Sequence, residues 1–463
     1  MHIGGVGTRA PITRRSGPRV ARGSRVSRVL WICVVMGATV GSGAAAAAQG
    51  DAPDQGAAAT TAAVFRRFSD RVVKLQVIET GSAAKAVLGS GFYVTAAGHV
   101  ITNYHVISKL VHDPARYRAE LIDTHGTTAP VTVLAIDAVH DVAVLTTGMR
   151  PEHYFTLHAL TVVQGSRLYS LGNPEDLGLS IVEGTYNGTL EYTLYPKIHF
   201  TGAINPGMSG GPAITDDGTV AGVNVATEGD EISFLVPVER AAALLDRALA
   251  PTYVRPSRFL DEVGRQLLAY QDVYLAHLFN DSTPAVTLGR YTLPTRPATF
   301  FKCWADASRP TRELLYQRVD HECSTDDFVF ISGDQSSGIV AFHHELITSD
   351  VLGSLRFATL YSALFAAGTS GLEGSEEEVT AFRCVSRNVR RAGPGAGTGF
   401  TARAVLCVRR YRKLTGLYDA VVKIAALGDP HAGMISTLTL SGVSFENAQR
   451  VAERYLERMR WDG

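Results

Sequence analysis

The segment Gly202–Pro212 constrains this chain more than any other, because six of its eleven residues are glycine or proline and a serine lies among them. Small residues free the backbone around Ser209, so the chain can turn sharply and leave the hydroxyl open to approach. A reactive serine is presented in this way. We therefore interpret Ser209 as a candidate nucleophile.

Two upstream segments supply the partners that such a serine needs. A serine hydroxyl is a poor nucleophile near neutral pH, so it requires a base, and the base requires a group that fixes its tautomer. Thr102–Val106 contains His105, and His140–Leu145 contains Asp141. The chain order His, Asp, Ser is that of the chymotrypsin-type arrangement. We predict His105 as the base, Asp141 as its partner and Ser209 as the nucleophile.

Attack by a serine on a carbonyl group creates a negatively charged oxygen, which backbone N–H groups have to face. Gly207 has no Cβ and can adopt the dihedral angles that turn its N–H toward that oxygen, beside the N–H of Ser209. These two amides are the predicted oxyanion hole.

The motifs resemble those of the trypsin-like serine peptidases, and most closely those of the bacterial HtrA/Deg type, over residues 62 to 248. The matching segments, in chain order, are Gly89–Phe92, Thr102–Val106, Ser170–Pro174, Ala221–Asn224 and Phe234–Pro237. The resemblance implies an all-β protease domain of two chymotrypsin-like barrels, and short apolar or alternating runs such as Val72–Val77 are the strands expected for it. It also implies a serine endopeptidase that acts on proteins or peptides.

The same resemblance places the specificity pocket. Counted back from the nucleophile, the pocket floor is Ala203, and its wall is formed by Asn224, Val225 and Ala226. No carboxylate is present there to bind lysine or arginine, so we expect cleavage after small to medium aliphatic residues. Met208 stands where relatives commonly have asparagine, and it cannot form the ion pair with a new N-terminus that activates digestive zymogens.

The first 48 residues differ from the rest of the chain. Seven arginines and no acidic residue precede a short apolar run from Val29 to Val40, which is followed by a small-residue tract that ends at Ala48. This pattern is typical of a secretory signal peptide, with a retained membrane anchor as the alternative. We therefore expect an exported, periplasmic or secreted protein, with a flexible lead-in over residues 49–61 and the protease domain over 62–250.

Residues 257–463 predict a separate α+β domain. The expected elements are helices at 259–279, 355–366 and 445–459, and a strand at 328–331 paired with one at 339–342. The four cysteines outside the leader all lie here, and in an oxidising compartment they predict disulfides. Cys384 and Cys407 are equidistant from a glycine-rich turn and should face each other in a hairpin; Cys303 then pairs with Cys323.

The role of this second domain is open at the level of sequence. Its sequence contains no recognisable PDZ domain, although HtrA relatives commonly carry one. His343–Glu345 could suggest a metal site, but adjacent strand residues point to opposite faces, so we expect exposed side chains and no metal. No cofactor is expected.

The zero formal net charge gives no electrostatic reason to expect nucleic acid as a partner. A homo-oligomer is compatible with the resemblance. The alternative to an endopeptidase is a catalytically silent binding or chaperone protein with the same fold, whose C-terminal domain recruits a partner.

Overall fold

The computed structural model describes residues 55–461, except for 160, 191, 228–231, 309–314, 326, 334, 368–371, 373 and 393–398. The predicted signal peptide, residues 1–48, lies outside the described residues. The described residues lie in one compact unit. None of the helices in the described part of the chain is both long and apolar enough to cross a bilayer.

The first barrel consists of six antiparallel strands. They are β1 (Val72–Glu79), β2 (Lys85–Tyr93), β3 (His99–Thr102), β4 (Tyr117–Ile122), β5 (Thr128–Asp137) and β6 (Val142–Thr147). The strands close in the order β1-β2-β3-β6-β5-β4, and helix α2 (Tyr104–His112) follows β3. Strand β5 alternates exposed and buried side chains over most of its length, as expected when one face of a sheet covers a core.

The second barrel is built in the same way. Its strands are β7 (Arg167–Gly172), β8 (Ser180–Thr189), β9 (Ile198–Thr201), β10 (Pro212–Ile214), β11 (Val220–Thr227) and β12 (Ile232–Pro237). They close in the order β10-β11-β12-β9-β8-β7, and helix α3 (Val238–Leu249) ends this part of the chain. The two barrels confirm the predicted chymotrypsin-like fold.

Helix α1 (Gln55–Phe68) precedes the first barrel. The expectation of a flexible lead-in is therefore wrong for residues 55–61. Val64 and Phe68 lie one helical turn apart and are 3% and 1% exposed, and Phe68 stacks on Phe155 with 5.9 Å between ring centroids. Alanine-rich sequence favours a helix, and burial of these two side chains stabilises it.

The C-terminal domain is α+β, as predicted. Its helices are α4 (Phe259–Leu275), α5 (Ser354–Ala367) and α6 (Phe445–Glu457). Its strands are β13 (Ala285–Leu288), β14 (Tyr291–Pro294), β15 (Lys302–Ser308), β16 (Gln317–Ser324), β17 (Val329–Ser332), β18 (Gln335–Ser337), β19 (Val340–Thr348), β20 (Arg383–Ala392), β21 (Gly399–Arg410), β22 (Tyr418–Leu427), β23 (Ala432–Val443) and β24 (Arg460–Trp461).

A seven-stranded antiparallel sheet, in the order β15-β16-β19-β23-β22-β21-β20, forms the centre of this domain. Neighbouring residues of one strand serve different cores: Ile424 packs with the side of the sheet that faces α4 and α6, whereas Ala425 packs against α5. Since successive strand residues point to opposite faces, the sheet has helices on both sides. The core on the α4 side is continuous with that of the first barrel, so the two domains share apolar contacts.

The predicted pairing of 328–331 with 339–342 is wrong. Strand β17 pairs with β18 in a tight hairpin, and β19 pairs with β16 and β23. The partners of β19 are distant in the sequence, and apolar character alone cannot identify them.

The prediction of exposed side chains at His343–Glu345 is wrong for His344. The alternation is as expected, but His344 faces a covered side of the sheet and is fully buried. Its ring nitrogens lie 2.8 Å from Ser436 Oγ and 2.9 Å from the Pro294 carbonyl oxygen. Burial lowers the pKa of His344 to about 3. This histidine is therefore a neutral, hydrogen-bonded core residue.

Two disulfides cross-link neighbouring strands, Cys303–Cys323 and Cys384–Cys407. In each case the two cysteines are directly opposed in an antiparallel pair, with Cα atoms 4.1 Å and 4.0 Å apart. His321 lies close enough to the first pair to suggest a metal site by composition. The sulfurs of that pair are bonded to each other, so the site lacks the thiolates that a metal needs.

Candidate active site

His105 is positioned by the start of helix α2. Asn103 precedes the helix in an extended conformation, and its side-chain amide donates to the main-chain oxygen of Asp141 over 2.8 Å. Tyr104, between them, is fully buried. The histidine is thus fixed by its neighbours on both the helix and the opposite turn, while 27% of its side chain stays exposed.

Asp141 lies in the turn between β5 and β6 with φ +56°, a left-handed conformation that aspartate tolerates better than most residues. Its carboxylate holds His105 at two points. One oxygen accepts the His105 main-chain N–H over 2.8 Å, and the other lies 2.6 Å from the imidazole Nδ1. An ionised carboxylate is only an acceptor, so Nδ1 carries a proton and Nε2 keeps a free lone pair.

The protonation equilibrium of His105 reflects opposing effects. Burial lowers the pKa of the imidazole, but the charge and the hydrogen bond of Asp141 together outweigh burial and raise the pKa above its ordinary value. The cation that forms when His105 accepts a proton is therefore stabilised. This is the property that a general base requires.

Ser209 follows a tight turn in the connection between β9 and β10. Met208 N–H donates to the Asn205 oxygen over 3.0 Å, and Gly207 has φ +95°, as expected at the third position of a type II turn with Pro206 before it. A Cβ at Gly207 would lie 2.4 Å from the Asn173 carbonyl oxygen. Only glycine fits at this position.

Ser90 on β2 ties this turn to the first barrel. Its hydroxyl donates to the Gly207 carbonyl over 2.8 Å and accepts the Asn173 main-chain N–H over 2.8 Å, while its own N–H donates to the Ser209 carbonyl. Ser90 is fully buried. The Gly-Ser-Gly sequence at 89–91 could have indicated such a close approach of two backbones.

Gly210 brings the serine next to the histidine segment. A Cβ at Gly210 would lie 2.3 Å from Thr102 Oγ1 and 3.1 Å from the Asn103 nitrogen, two residues before His105. The Ser209 hydroxyl donates to the Val225 carbonyl over 2.9 Å rather than to His105. The Ser209 hydroxyl must therefore leave the Val225 carbonyl before its proton can be transferred to the imidazole, and side-chain changes of this kind are fast.

Two amides of the turn lack a hydrogen-bond acceptor among the described residues. Within the described residues, the N–H groups of Gly207 and Ser209 make no hydrogen bond to the protein, although those of Met208, Gly210 and Gly211 do. Two unpaired donors on either side of Met208, one of them on the serine itself, form a site suited to a negatively charged oxygen.

The predicted specificity residues differ in their surroundings. Ala203 is exposed, whereas Asn224 is fully buried. The Asn224 side chain makes three hydrogen bonds inside the second barrel: to Ser170 Oγ at 2.9 Å, to the Leu171 oxygen at 3.0 Å and to the Met208 oxygen at 3.3 Å. The Asn224 side chain therefore helps to fix the turn that carries Ser209. Val225 is partly buried, and Ala226 continues the same strand.

One further group resembles a metal site among the described residues: Asp320, His343 and Glu345, on one face of the large sheet. Arg318 Nε lies 2.8 Å from both Asp320 oxygens and 3.5 Å from Glu345. The guanidinium supplies the positive charge that these carboxylates need, so the group is an ion-pair network.

A family model, the trypsin-like peptidase domain, matches residues 89–223. The chain is 34% identical over 170 residues to the serine protease HTRA2, mitochondrial, of Bos taurus, covering 34% of this chain and 36% of that protein. It is 30% identical over 182 residues to a probable periplasmic serine endoprotease DegP-like of Chlamydia pneumoniae, covering 37% of this chain and 36% of that protein. The chain thus spans little more than a third of the length of these curated relatives.

Among solved structures, the crystal structure of Deg5 is similar at 25% identity and a TM-score of 0.37, covering 42% of this chain and 96% of that one. The fold assignment rests on the two closed barrels and on the sequence matches. Together these findings show that the chain carries a trypsin-like peptidase domain similar to that of the HtrA-type serine proteases.

Proposed function

We propose that this protein is an exported serine endopeptidase in which Ser209, His105 and Asp141 form the catalytic triad. The observation that carries the proposal is the pairing of His105 with Asp141. A carboxylate that accepts both the main-chain N–H and the Nδ1 proton fixes the tautomer in which Nε2 can take a proton from serine.

In the proposed mechanism, Ser209 leaves the Val225 carbonyl, rotates toward His105 and transfers its proton to Nε2 as its oxygen attacks the substrate carbonyl. Asp141 stabilises the imidazolium that results. The N–H groups of Gly207 and Ser209 donate to the oxyanion of the tetrahedral intermediate. His105 then returns the proton to the leaving amine, and water hydrolyses the acyl-enzyme by the same steps.

The proposed substrates are proteins or peptides with a small to medium aliphatic residue before the scissile bond. Ala203 adds no charge to the proposed pocket floor, and Val225 adds an apolar wall. The proposed route of export is the N-terminal signal peptide. The intact mass of the exported protein tests this point: a mature chain that starts near Gln49 supports it, and retention of residues 1–48 contradicts cleavage.

One observation favours the alternative of a silent protease-fold protein. The Ser209 hydroxyl is hydrogen-bonded to Val225, so the resting structure contains no Ser209–His105 hydrogen bond. A binding protein could retain this arrangement permanently.

A fluorophosphonate probe separates the two functions. Covalent capture at Ser209 requires a base that can reach the hydroxyl and donors that stabilise the oxyanion. Labelling that is located to Ser209 by peptide mapping, and that is absent in Ser209→Ala, supports the peptidase. A folded protein that is never labelled supports the silent binding protein.

A further inference from the structure

The hairpin formed by β17 and β18 of the C-terminal domain, residues 329–337, lies next to His105. Burial alternates along its first strand: Val329 and Ile331 are 1% and 0% exposed and belong to the core shared with the first barrel, whereas Phe330 is partly exposed and packs against that core. The buried pair anchors the strand, so the position of Phe330 is determined by the packing of the domain.

The hairpin is attached to the first barrel through Tyr104, the residue before His105. The Tyr104 hydroxyl donates to the Ile331 carbonyl over 2.8 Å. Its ring packs edge-on against Phe330, with 6.3 Å between centroids. Because Tyr104 is fully buried, this contact is part of the packed interface between the domains.

The segment before the hairpin is attached to the second barrel. Asp327 forms an ion pair of 2.7 Å with Lys197, and its other oxygen accepts the Leu194 N–H over 3.2 Å. After the hairpin, Gly338 packs so closely on Leu194 that a Cβ there would lie 2.7 Å from Leu194 Cδ2. The hairpin therefore contacts the first barrel, and the residues on either side of it contact the second barrel.

Phe330 packs on His105 itself. The two rings are edge-to-face, with 6.0 Å between centroids and an interplanar angle of 76°. Both side chains keep an exposed part, 27% in the case of His105. A substrate residue that lies against the open part of the imidazole therefore also meets the phenyl ring.

From these contacts we propose that the C-terminal domain supplies one wall of the substrate cleft and that Phe330 determines which substrate side chain fits beside His105. The inference rests on the proposed peptidase function. The phenyl ring occupies the space next to the imidazole, so the adjacent substrate position, distinct from the one at Ala203, accepts small side chains and excludes large ones.

Three variants test this wall. Phe330→Ala removes the ring, Phe330→Leu keeps an apolar side chain of intermediate size, and Phe328→Ala is the matched control. Phe328 lies just before β17 and is 50% exposed, and within the described residues it makes no ring contact with His105. Each full-length variant is profiled on a peptide library and titrated with the fluorophosphonate probe.

We expect Phe330→Ala to raise kcat/KM for large residues relative to small ones by about 10-fold at one position near the scissile bond, since added or removed methylene groups change pocket discrimination by 10- to 200-fold. Phe330→Leu should give a smaller change in the same direction. Phe328→Ala should leave the profile as in the wild type. Probe labelling of Ser209 should persist in all three, because the small probe does not reach the wall.

An unchanged profile in both Phe330 variants, with Ser209 still labelled, overturns the proposed wall and leaves the peptidase function standing. A wild-type protein that is never labelled overturns the peptidase function instead. If Phe330→Ala unfolds, the intermediate Phe330→Leu variant decides: a profile identical to that of the wild type contradicts the proposal.

Discussion

Replacement of Asp141 by asparagine tests the geometry on which the site depends. The wild-type carboxylate accepts two hydrogen bonds, from the His105 main chain at 2.8 Å and from Nδ1 at 2.6 Å. An amide of the same size has one acceptor and one donor, so it can satisfy only one of these bonds. If its oxygen keeps the main-chain N–H, its NH₂ group faces Nδ1, the imidazole proton moves to Nε2, and Nε2 can no longer accept the serine proton.

The opposite orientation of the amide is disfavoured. It places the NH₂ group against the His105 main-chain N–H, and a buried donor left unpaired costs about 1–3 kcal/mol. The inactive tautomer is therefore favoured. In the chymotrypsin template the equivalent change lowers kcat about 10⁴-fold, which corresponds to about 5 kcal/mol of transition-state stabilisation. We expect a loss of about that size in Asp141→Asn.

The pH profile gives a second readout of the same variant. Catalysis requires neutral His105, so kcat/KM should rise with pH through the imidazole pKa. In the wild type Asp141 raises that pKa, so the rise should occur above the ordinary histidine value of about 6.5. Without the carboxylate charge only burial remains, which lowers the pKa, and the rise should move below that value.

The assay is kcat/KM on an aliphatic peptide substrate from pH 5 to 9, with circular dichroism to establish folding. A fall in kcat/KM of less than 10-fold in a folded Asp141→Asn protein would refute the argument from the tautomer. A rise of kcat/KM at the same pH as in the wild type would refute the argument from charge.

Two further predictions concern the domain interface and the pocket. Asp327→Ala leaves Lys197 without its carboxylate in a site where the two side chains are only 11% and 15% exposed, and it should destabilise the protein by about 3–5 kcal/mol. For a unit of about 400 residues this corresponds to a fall in Tm of roughly 4–6 °C, and an unchanged calorimetric Tm would show that the pair does not hold the domains together. Ala203→Asp should shift cleavage toward lysine and arginine by placing a carboxylate in the proposed pocket, and a library profile that stays aliphatic would contradict the pocket assignment.

Local chemistry made the protease domain predictable from sequence. Gly207 has a positive φ and lies against a backbone oxygen, and Gly210 lies against Thr102. Because both positions require glycine, the sequence shows a recognisable pattern of glycines around Ser209. The histidine and aspartate segments are similarly marked by short-range context. These local requirements apply to any sequence that forms the same turn.

Long-range packing was not predictable in this way. The hairpin of β17 and β18 has a turn signal, Gly333 followed by an aspartate, but nothing in the local pattern shows that Phe330 packs on a histidine 225 positions earlier. The pairing of β19 was predicted wrongly for the same reason, because its partners, β16 and β23, are distant in the sequence. A lead-in was predicted where helix α1 begins, because the burial of Val64 and Phe68 that stabilises the helix depends on the finished barrels.

The most direct test of the account is the reaction of purified wild-type protein and Ser209→Ala with a fluorophosphonate probe, followed by peptide hydrolysis. Alanine fits a small, glycine-flanked site, so the variant should stay folded and should lose both labelling and turnover. The account predicts one probe per wild-type chain, located at Ser209. Peptidase activity in Ser209→Ala equal to that of the wild type, or labelling at another residue, would contradict it.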